Sequence, residues 1–478
     1  MSARTRELFG LLPVSLLVTA GFAAVLLTET RDISDATLTY GAVFLGLCVF
    51  AHLFIRARLP DADPYLFPLA ALLAAVGLVE IYRIDPELAR DQAQWFVFGL
   101  ALFCATIVLL RDHHSLERYR YTIAAASIGL LMLPRLLGAP VNEAFLTIDL
   151  GPIRFQPAEF AKLGIIVFLA SYLRETGDVL VRPPLTALPA ARQALFYGVP
   201  AAVTLLLLLV MDLSVGASLL LIVFVASLVA VVRERPSLKH FGPLLLVWGL
   251  AMLMLIFIRD LGSSLMFFGA FLALLYVATA RLSLVGAGAT MFLAGAAFFM
   301  NHVQHVQERV DIWKDPFAPK VVDHEGYQLA QSLFAQADGG LFGQGFGQAL
   351  LDLPGGANIL PAPHTDLIYA VITDEMGLFG AAGLIAVYLL FAWRGFKTAE
   401  LANDGFSKLL AAGLTAVLAL QVFVIVGGVT KVIPLTGVTL PFVSYGGSSI
   451  LANLVLLALL LMVSDHARSE RARRGGLV

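Results

Sequence analysis

The chain has 478 residues, of which 59% are hydrophobic and only 14% charged, and its formal net charge is -2. Soluble globular proteins carry charges on about a quarter of their residues, so this composition indicates a polytopic membrane protein. The near-neutral balance argues against a nucleic-acid-binding protein, which needs a basic surface. Cys48 and Cys104 both lie within apolar runs, which predicts isolated thiols rather than a disulfide framework.

Apolar runs long enough to cross a bilayer recur along the whole chain. They predict an all-α polytopic membrane protein with about fourteen transmembrane helices and one large polar loop, residues 302–365. The first run is followed by many equivalent ones, so we interpret it as a retained helix rather than a signal peptide. The predicted helices are 9–29, 37–55, 65–82, 92–110, 121–137, 157–173, 195–211, 213–232, 242–258, 261–280, 283–301, 366–393, 408–428 and 446–463.

The distribution of Lys and Arg between the predicted helices gives an orientation. With the N-terminus in the cytoplasm, cytoplasmic segments hold about twice as many Lys and Arg residues as external ones. The positive-inside rule therefore predicts that both termini are cytoplasmic and that loop 302–365 is extracytoplasmic. The basic tail, residues 466–478, is expected to interact with anionic lipids of the inner leaflet.

Two motifs place charges at predicted helix starts. Glu159 and Lys162, which follow Arg154, are three residues apart and share one helical face. Ionisable groups at membrane depth are candidates for function, but these two can also simply pair with each other. Arg259 and Asp260 precede another predicted helix, where Asp260 can cap the helix and Arg259 can hold a phosphate.

A third motif, His364-Thr365-Asp366, ends the large loop and opens the predicted helix 366–393. Asp366 can be an ordinary helix N-cap, and the helix dipole would then lower its pKa. Desolvation beneath a polar loop would instead raise that pKa and suit a catalytic base. Asp374 and Glu375 lie deeper in the same predicted helix, where acids need partners or a water-filled cavity.

A fourth motif is the segment 431–449, which separates the last two predicted helices and contains Lys431, Ser444, Tyr445, Gly446 and Gly447. Non-helical backbone at membrane depth is tolerated only where protein surrounds it or where it lines a cavity. Glycine and serine let such a backbone approach a polar ligand closely. A plain structural turn is the alternative interpretation.

Together these motifs resemble the SEDS (shape, elongation, division and sporulation) family, and most closely its actinobacterial branch. The matching segments cover roughly residues 120–465. They are Arg154-Phe-Gln-Pro-Ala-Glu-Phe-Ala-Lys162, Asp260-Leu-Gly-Ser-Ser264, Gly339-Gly-Leu-Phe-Gly-Gln-Gly345, His364-Thr-Asp366, Asp374-Glu-Met-Gly377, Pro434-Leu-Thr-Gly437 and Leu440-Pro-Phe-Val-Ser-Tyr-Gly-Gly-Ser448.

The resemblance implies a peptidoglycan glycosyltransferase that polymerises lipid II at the outer face of the bacterial cytoplasmic membrane, for cell-shape or division wall synthesis. It implies a class B penicillin-binding protein as the partner that cross-links the nascent glycan. Asp366 matches the family's essential acid, which implies a general base. The residues expected to bind substrate are Arg154, Glu159, Lys162, Arg259, Asp260, His364, Thr365, Lys431, Ser444, Tyr445, Gly446 and Gly447.

The leaving pyrophosphate needs cations, and Lys162 and Arg259 are the preferred candidates, ahead of Arg154, Arg309 and Lys431. A divalent cation, Mg²⁺ or Mn²⁺, can assist, although the sequence has no metal-ligand spacing. The family's core has ten helices. We therefore expect a transmembrane domain at 61–465, an extra N-terminal helix pair at 1–60 and an inserted pair at about 195–232.

Two other functions remain open. A lipid-linked precursor flippase is one, but a transporter places its polar site near the bilayer midplane. Here the polar residues concentrate on one outer face. An inactive scaffold for wall synthases is the other, and the presence of Asp366 argues against it.

Overall fold

The computed structural model describes residues 3–29, 35–138, 146–150, 153–180, 197–205, 208, 215–234, 260–302, 304–319, 321, 322, 324, 326–351 and 359–475, with isolated positions between 242 and 252. Its helices are α1 (Ala3–Glu29), α2 (Asp35–Arg58), α3 (Leu66–Ile84), α4 (Pro86–Leu110), α5 (Ser115–Arg118), α6 (Arg120–Leu137), α7 (Pro157–Leu180), α8 (Val215–Glu234), α9 (Leu261–Thr279), α10 (Leu282–His302), α11 (Gln304–Lys314), α12 (Tyr327–Gly339), α13 (Ile368–Leu401), α14 (Gly405–Val429) and α15 (Gly447–Gly475).

The prediction of a multi-pass helical membrane protein is confirmed. Eight helices in the described part of the chain are long and apolar enough to cross a bilayer, namely α1–α4, α9 and α13–α15. Other helices, α6–α8 and α10, overlap further predicted spans. The predicted span 242–258 falls almost wholly outside the described residues, so the number fourteen stays a prediction.

The central helices are α14 and α15. Helix α14 packs against α7, α9 and α13, while α15 packs mainly against α4. Both are enclosed by protein for most of their length, as their long apolar runs require. Helices α1 and α2 lie at the edge, where α1 contacts α2 and α3 and leaves its other face exposed.

A short hairpin precedes α7 and departs from the all-α prediction. Strands β1 (Ile148–Leu150) and β2 (Ile153–Phe155) pair antiparallel, with Asp149 opposite Arg154. The cause is local: apolar residues alternate with polar ones on both sides of a Gly-Pro dipeptide, which favours a turn. The second strand ends at Phe155, and α7 begins two residues later, at Pro157.

The predicted polar loop 302–365 contains two helices, α11 and α12, and is anchored to α13. Gly377 interrupts α13 with φ 64° and ψ -170°, a conformation open to glycine. Segment 340–345 fills the interruption: Leu378 N–H donates to Gly340 O at 2.9 Å and Gln344 N–H to Asp374 O at 2.9 Å. The glycine-rich motif therefore satisfies backbone groups that the helix break exposes.

The deep acid Glu375 has the partner that its position required. Its carboxylate lies 2.6 Å from the Arg83 guanidinium at the end of α3, and it accepts the Gly347 N–H at 2.9 Å. This buried ion pair fixes the glycine-rich segment to the transmembrane core. Removing one partner of such a pair typically costs about 3–5 kcal/mol, because the other charge stays buried.

Candidate active site

The segment that connects α14 to α15, residues 430–446, is contacted, directly or through Gln421, by the sequence motifs described below. We call it the connecting turn. Its backbone is non-helical, with positive φ at Lys431 (61°), Gly437 (70°) and Phe442 (65°). The Trp313 indole donates to Lys431 O at 3.0 Å, and the Arg309 guanidinium donates to Leu435 O at 3.2 Å. Side chains of α11 thus satisfy two backbone carbonyls of the turn that no helix pairs.

The connecting turn is bonded directly to the His364-Thr365-Asp366 motif. The Ser444 hydroxyl donates to Thr365 O at 2.7 Å and accepts the Leu440 N–H at 2.8 Å. The Tyr445 N–H donates to His364 O at 2.8 Å, and the two rings meet edge to face at 5.7 Å. The third and fourth sequence motifs therefore form one structure.

Asp366 lies in the turn before α13 and is not the helix N-cap, because α13 begins at Ile368 after Leu367, with no side-chain cap. The N-cap alternative is therefore wrong. A Cβ on Gly437 would lie 3.5 Å from Asp366 Oδ2, so the connecting turn reaches the carboxylate with bare backbone. Burial raises the pKa of Asp366 to about 6, while the positive charge of Arg309 opposes the shift.

The Asp260 motif packs against the same turn. Asp260 caps α9 by accepting the Ser263 N–H at 2.9 Å, so the capping interpretation is correct. Burial raises its pKa, and the Arg309 charge lowers it in part. A Cβ on Gly262 would lie 2.2 Å from Val438, which shows how closely the start of α9 approaches the connecting turn.

The Glu159–Lys162 motif reaches the turn through Gln421. Lys162 Nζ lies 2.5 Å from Glu159 and donates to Gln421 Oε1 at 2.8 Å, with both charged side chains buried. Gln421 in turn donates to Thr439 O at 2.8 Å. The pairing of Glu159 with Lys162 is therefore real, and it also supports the turn.

The remaining predicted residues differ in how closely they contact the connecting turn. Arg154 lies on β2 with an exposed side chain, and Lys431 is half-buried beside Trp313. Gly447 begins α15 against the Trp95 ring, where a Cβ would approach to 2.5 Å. Arg259 lies outside the described residues.

Sequence reasoning missed Gln92, which holds the far end of the turn. Its side-chain oxygen accepts the Gly446 N–H at 3.1 Å, and its side-chain nitrogen donates to Ser444 O at 3.3 Å. The sequence does not single it out, because Arg90, Asp91 and a second amide, Gln94, lie beside it in α4. Gly446 is thus placed by a residue far away in sequence.

Clusters of possible metal ligands lie elsewhere in the described part of the chain. They consist of Asp112, His113 and His114, and of His114 with Asp404 and His466. Within the described residues no such cluster includes Asp366.

The fold and the site together define a multi-pass membrane protein with a partly buried carboxylate beside a non-helical turn between two apolar helices. The family model FTSW_RODA_SPOVE, described as "Cell cycle protein", matches residues 65–235 and 216–469, so the chain belongs to this family. The predicted family membership is thereby confirmed.

Individual relatives agree with the family assignment. Peptidoglycan glycosyltransferase RodA of Mycobacterium tuberculosis is 36% identical over 97% of this chain and 91% of its own, in line with the predicted actinobacterial branch. RodA of Thermus thermophilus aligns with a TM-score of 0.51 and 25% identity, over 84% of this chain and 96% of its own. A chain from a solved peptidoglycan synthase complex aligns with a TM-score of 0.58 and 27% identity, over 85% and 98%.

Proposed function

We propose that this chain is a peptidoglycan glycosyltransferase that polymerises lipid II into glycan strands. The observation that carries the proposal is Asp366, a carboxylate with a raised pKa beside bare backbone of the connecting turn. The similarity to RodA of M. tuberculosis over nearly the whole chain supports the same activity. Wall synthesis in cell elongation or division is the corresponding role.

In the proposed reaction the Asp366 carboxylate takes the proton from the acceptor sugar hydroxyl. The hydroxyl oxygen then forms a bond to the anomeric carbon of the donor, with inversion. The bond from that carbon to pyrophosphate breaks, and its electron pair leaves with undecaprenyl pyrophosphate. A base whose pKa is close to the working pH is most effective, and such a base typically contributes about 10²–10⁴ in rate.

The leaving pyrophosphate requires positive charge near Asp366. Arg309 is the best-placed candidate, since it acts electrostatically on both Asp366 and Asp260 and is fixed by its bond to Leu435 O. We propose that Mg²⁺ or Mn²⁺ enters with the pyrophosphate and adds to this charge. Arg154, Lys431 and Arg259 remain proposed contacts.

The finer points of topology and assembly are also proposals. They comprise about fourteen transmembrane helices, cytoplasmic termini and an extracytoplasmic face for 302–365. Residues 1–60 form an additional helix pair, 61–465 the transmembrane domain with its insertion at about 195–232, and 466–478 the basic tail. We propose a class B penicillin-binding protein as partner, since one structural relative comes from a complex that coordinates polymerization and crosslinking.

The test is polymerisation of labelled lipid II by purified protein, with and without a co-expressed class B penicillin-binding protein. We expect long glycan strands that disappear in Asp366→Ala and persist in Asp311→Ala. Asp311 is a suitable control because it is an exposed acid of α11. Equal turnover in both variants would refute the role of Asp366. No polymer under any condition would favour the flippase or scaffold, which a lipid-translocation assay separates.

A further inference from the structure

A cavity of about 350 Å³ lies between α1, α2, α3 and α4, at the ends of these helices nearest the connecting turn. Its wall is mostly apolar and aromatic. The rings of Phe22, Tyr40 and Tyr82 contact one another there, with centroids 5.1–5.6 Å apart. A cavity of this size and lining suits a hydrocarbon chain.

The N-terminal helices build one side of this cavity. Phe22 comes from α1, and Tyr40, Val43 and Leu47 come from α2. The family model begins at residue 65, so both helices lie outside the part of the chain that it matches. The additional helix pair therefore encloses a space that α3 and α4 alone would leave open to lipid.

The opposite side of the cavity is formed by residues that belong to the connecting turn or lie next to it. Phe442 and Ile450 line it from the connecting turn and from α15. Gln92 lines it too, and both polar atoms of its side chain are bonded to the turn. Ser444, one of its partners, bonds to Thr365, the neighbour of Asp366.

The cavity also has a cation. Arg90 lines it near the start of α4, where its side chain is exposed. A guanidinium at the edge of an apolar cavity is suited to the phosphate of a lipid whose chain is buried below it. Charge and apolar lining thus match a lipid with an anionic diphosphate head.

We infer that this cavity binds the isoprenyl chain of the lipid-linked substrate, with Arg90 against its pyrophosphate. The inference rests on the proposed function. The shared lining with the connecting turn favours this occupant over a bulk phospholipid, because a chain held here lies against Phe442 of the turn, and Ser444 of the same turn bonds to Thr365, the neighbour of Asp366. The cavity would then position the substrate and give α1 and α2 a role in binding.

Photocrosslinking tests this directly with neighbouring positions on α4. Val97 lines the cavity, whereas Phe98 is exposed to the bilayer outside it, with 45% and 61% of their surfaces exposed. p-Benzoylphenylalanine in place of Val97 should crosslink labelled lipid II, and excess unlabelled lipid II should compete. The same group in place of Phe98 should give only background. The experiment is run in an Asp366→Ala background, so that binding is read without turnover.

A cavity-filling substitution gives a second measurement. Ala93→Phe places a ring in the cavity, whereas Ala101→Phe places one on the exposed face of the same helix. Ala93→Phe should lower crosslinking and raise KM for lipid II by about tenfold, which corresponds to losing the burial of about two methylene groups. Thermal unfolding of both variants shows that they are folded.

The outcomes separate this inference from the proposed function. Equal crosslinking at Val97 and Phe98, or crosslinking that only phospholipid competes, would overturn the inference even if polymerisation is normal. Crosslinking that lipid II competes would support it even if no polymer forms, and the failure would then lie with the proposed glycosyltransferase activity.

Discussion

The pH dependence of polymerisation is the sharpest test of Asp366. Burial raises its pKa to about 6, and a general base works only when ionised. About a tenth of the carboxyl groups are then ionised at pH 5, and nearly all at pH 7.5. We therefore expect kcat/KM to rise about tenfold between these values and to level off above pH 7.

The raised pKa of Asp366 also affects the stability of the protein, and the sign of that effect distinguishes a catalytic base from a carboxylate that stabilises the fold. The pKa is higher in the folded protein than in the unfolded chain, so ionisation destabilises the fold. The contribution of the protonated Asp366 to the free energy of unfolding is fully present below the unfolded pKa of about 4. It is lost as the pH rises through the folded pKa of about 6. At pH 7.5, Asp366→Asn should therefore raise the free energy of unfolding by about 1–3 kcal/mol.

Rate and stability are expected to change in opposite directions when Asp366 loses its charge. Asp366→Asn should lose about 10²–10⁴ in polymerisation rate while its thermal unfolding temperature rises. A rate that is flat from pH 5 to 8, or an Asn variant that is less stable than wild type at pH 7.5, would refute the assignment. Arg309→Met gives a further test. Loss of the guanidinium should raise the pKa of Asp366, so the increase of kcat/KM with pH should occur at higher pH.

Three further substitutions test the surrounding structure. Gly437→Ala should cost about 1 kcal/mol, because φ is 70° there, and it should slow polymerisation by placing a methyl group beside Asp366. Gly446→Ala, at a glycine without positive φ, is its control in thermal unfolding. Lys162→Met should lose about 3–5 kcal/mol by leaving Glu159 buried without its partner. A second change, Glu159→Leu, should restore most of that stability in chemical unfolding. Ser444→Ala should lower the free energy of unfolding by about 1–3 kcal/mol because two hydrogen bonds are lost, and unchanged stability would contradict the bonds to Leu440 and Thr365.

Most transmembrane helices could be predicted from the sequence because the signal is local. A run of apolar residues has few alternatives in a bilayer, so α9 and α14 begin and end close to the predicted residues. Helix α13 was harder. Asp366 has the sequence pattern of an N-cap, but the helix begins two residues later because the backbone of His364 and Thr365 bonds to the connecting turn instead.

The parts that could not be predicted depend on contacts between distant segments. Arg83 and Glu375 are far apart in sequence, and no local pattern pairs them. The same holds for Gln92, whose partners are on the connecting turn. The resemblance to a family supplied the identity of Asp366, but the reason for its raised pKa lies in packing that only the three-dimensional structure provides.

The contacts of Lys162 and Arg309 bear on which cation faces the leaving pyrophosphate. The sequence favoured Lys162 and Arg259, but the charge of Lys162 is already balanced by Glu159 in a buried pair with Gln421. A cation held in this way stabilises a new negative charge less than one with donors still open. Among the described residues, Arg309 donates a hydrogen bond to the backbone carbonyl of Leu435, and a guanidinium carries five N–H donors. We therefore propose that Arg309 meets the developing charge on the leaving group, while Lys162 contacts the connecting turn through Gln421.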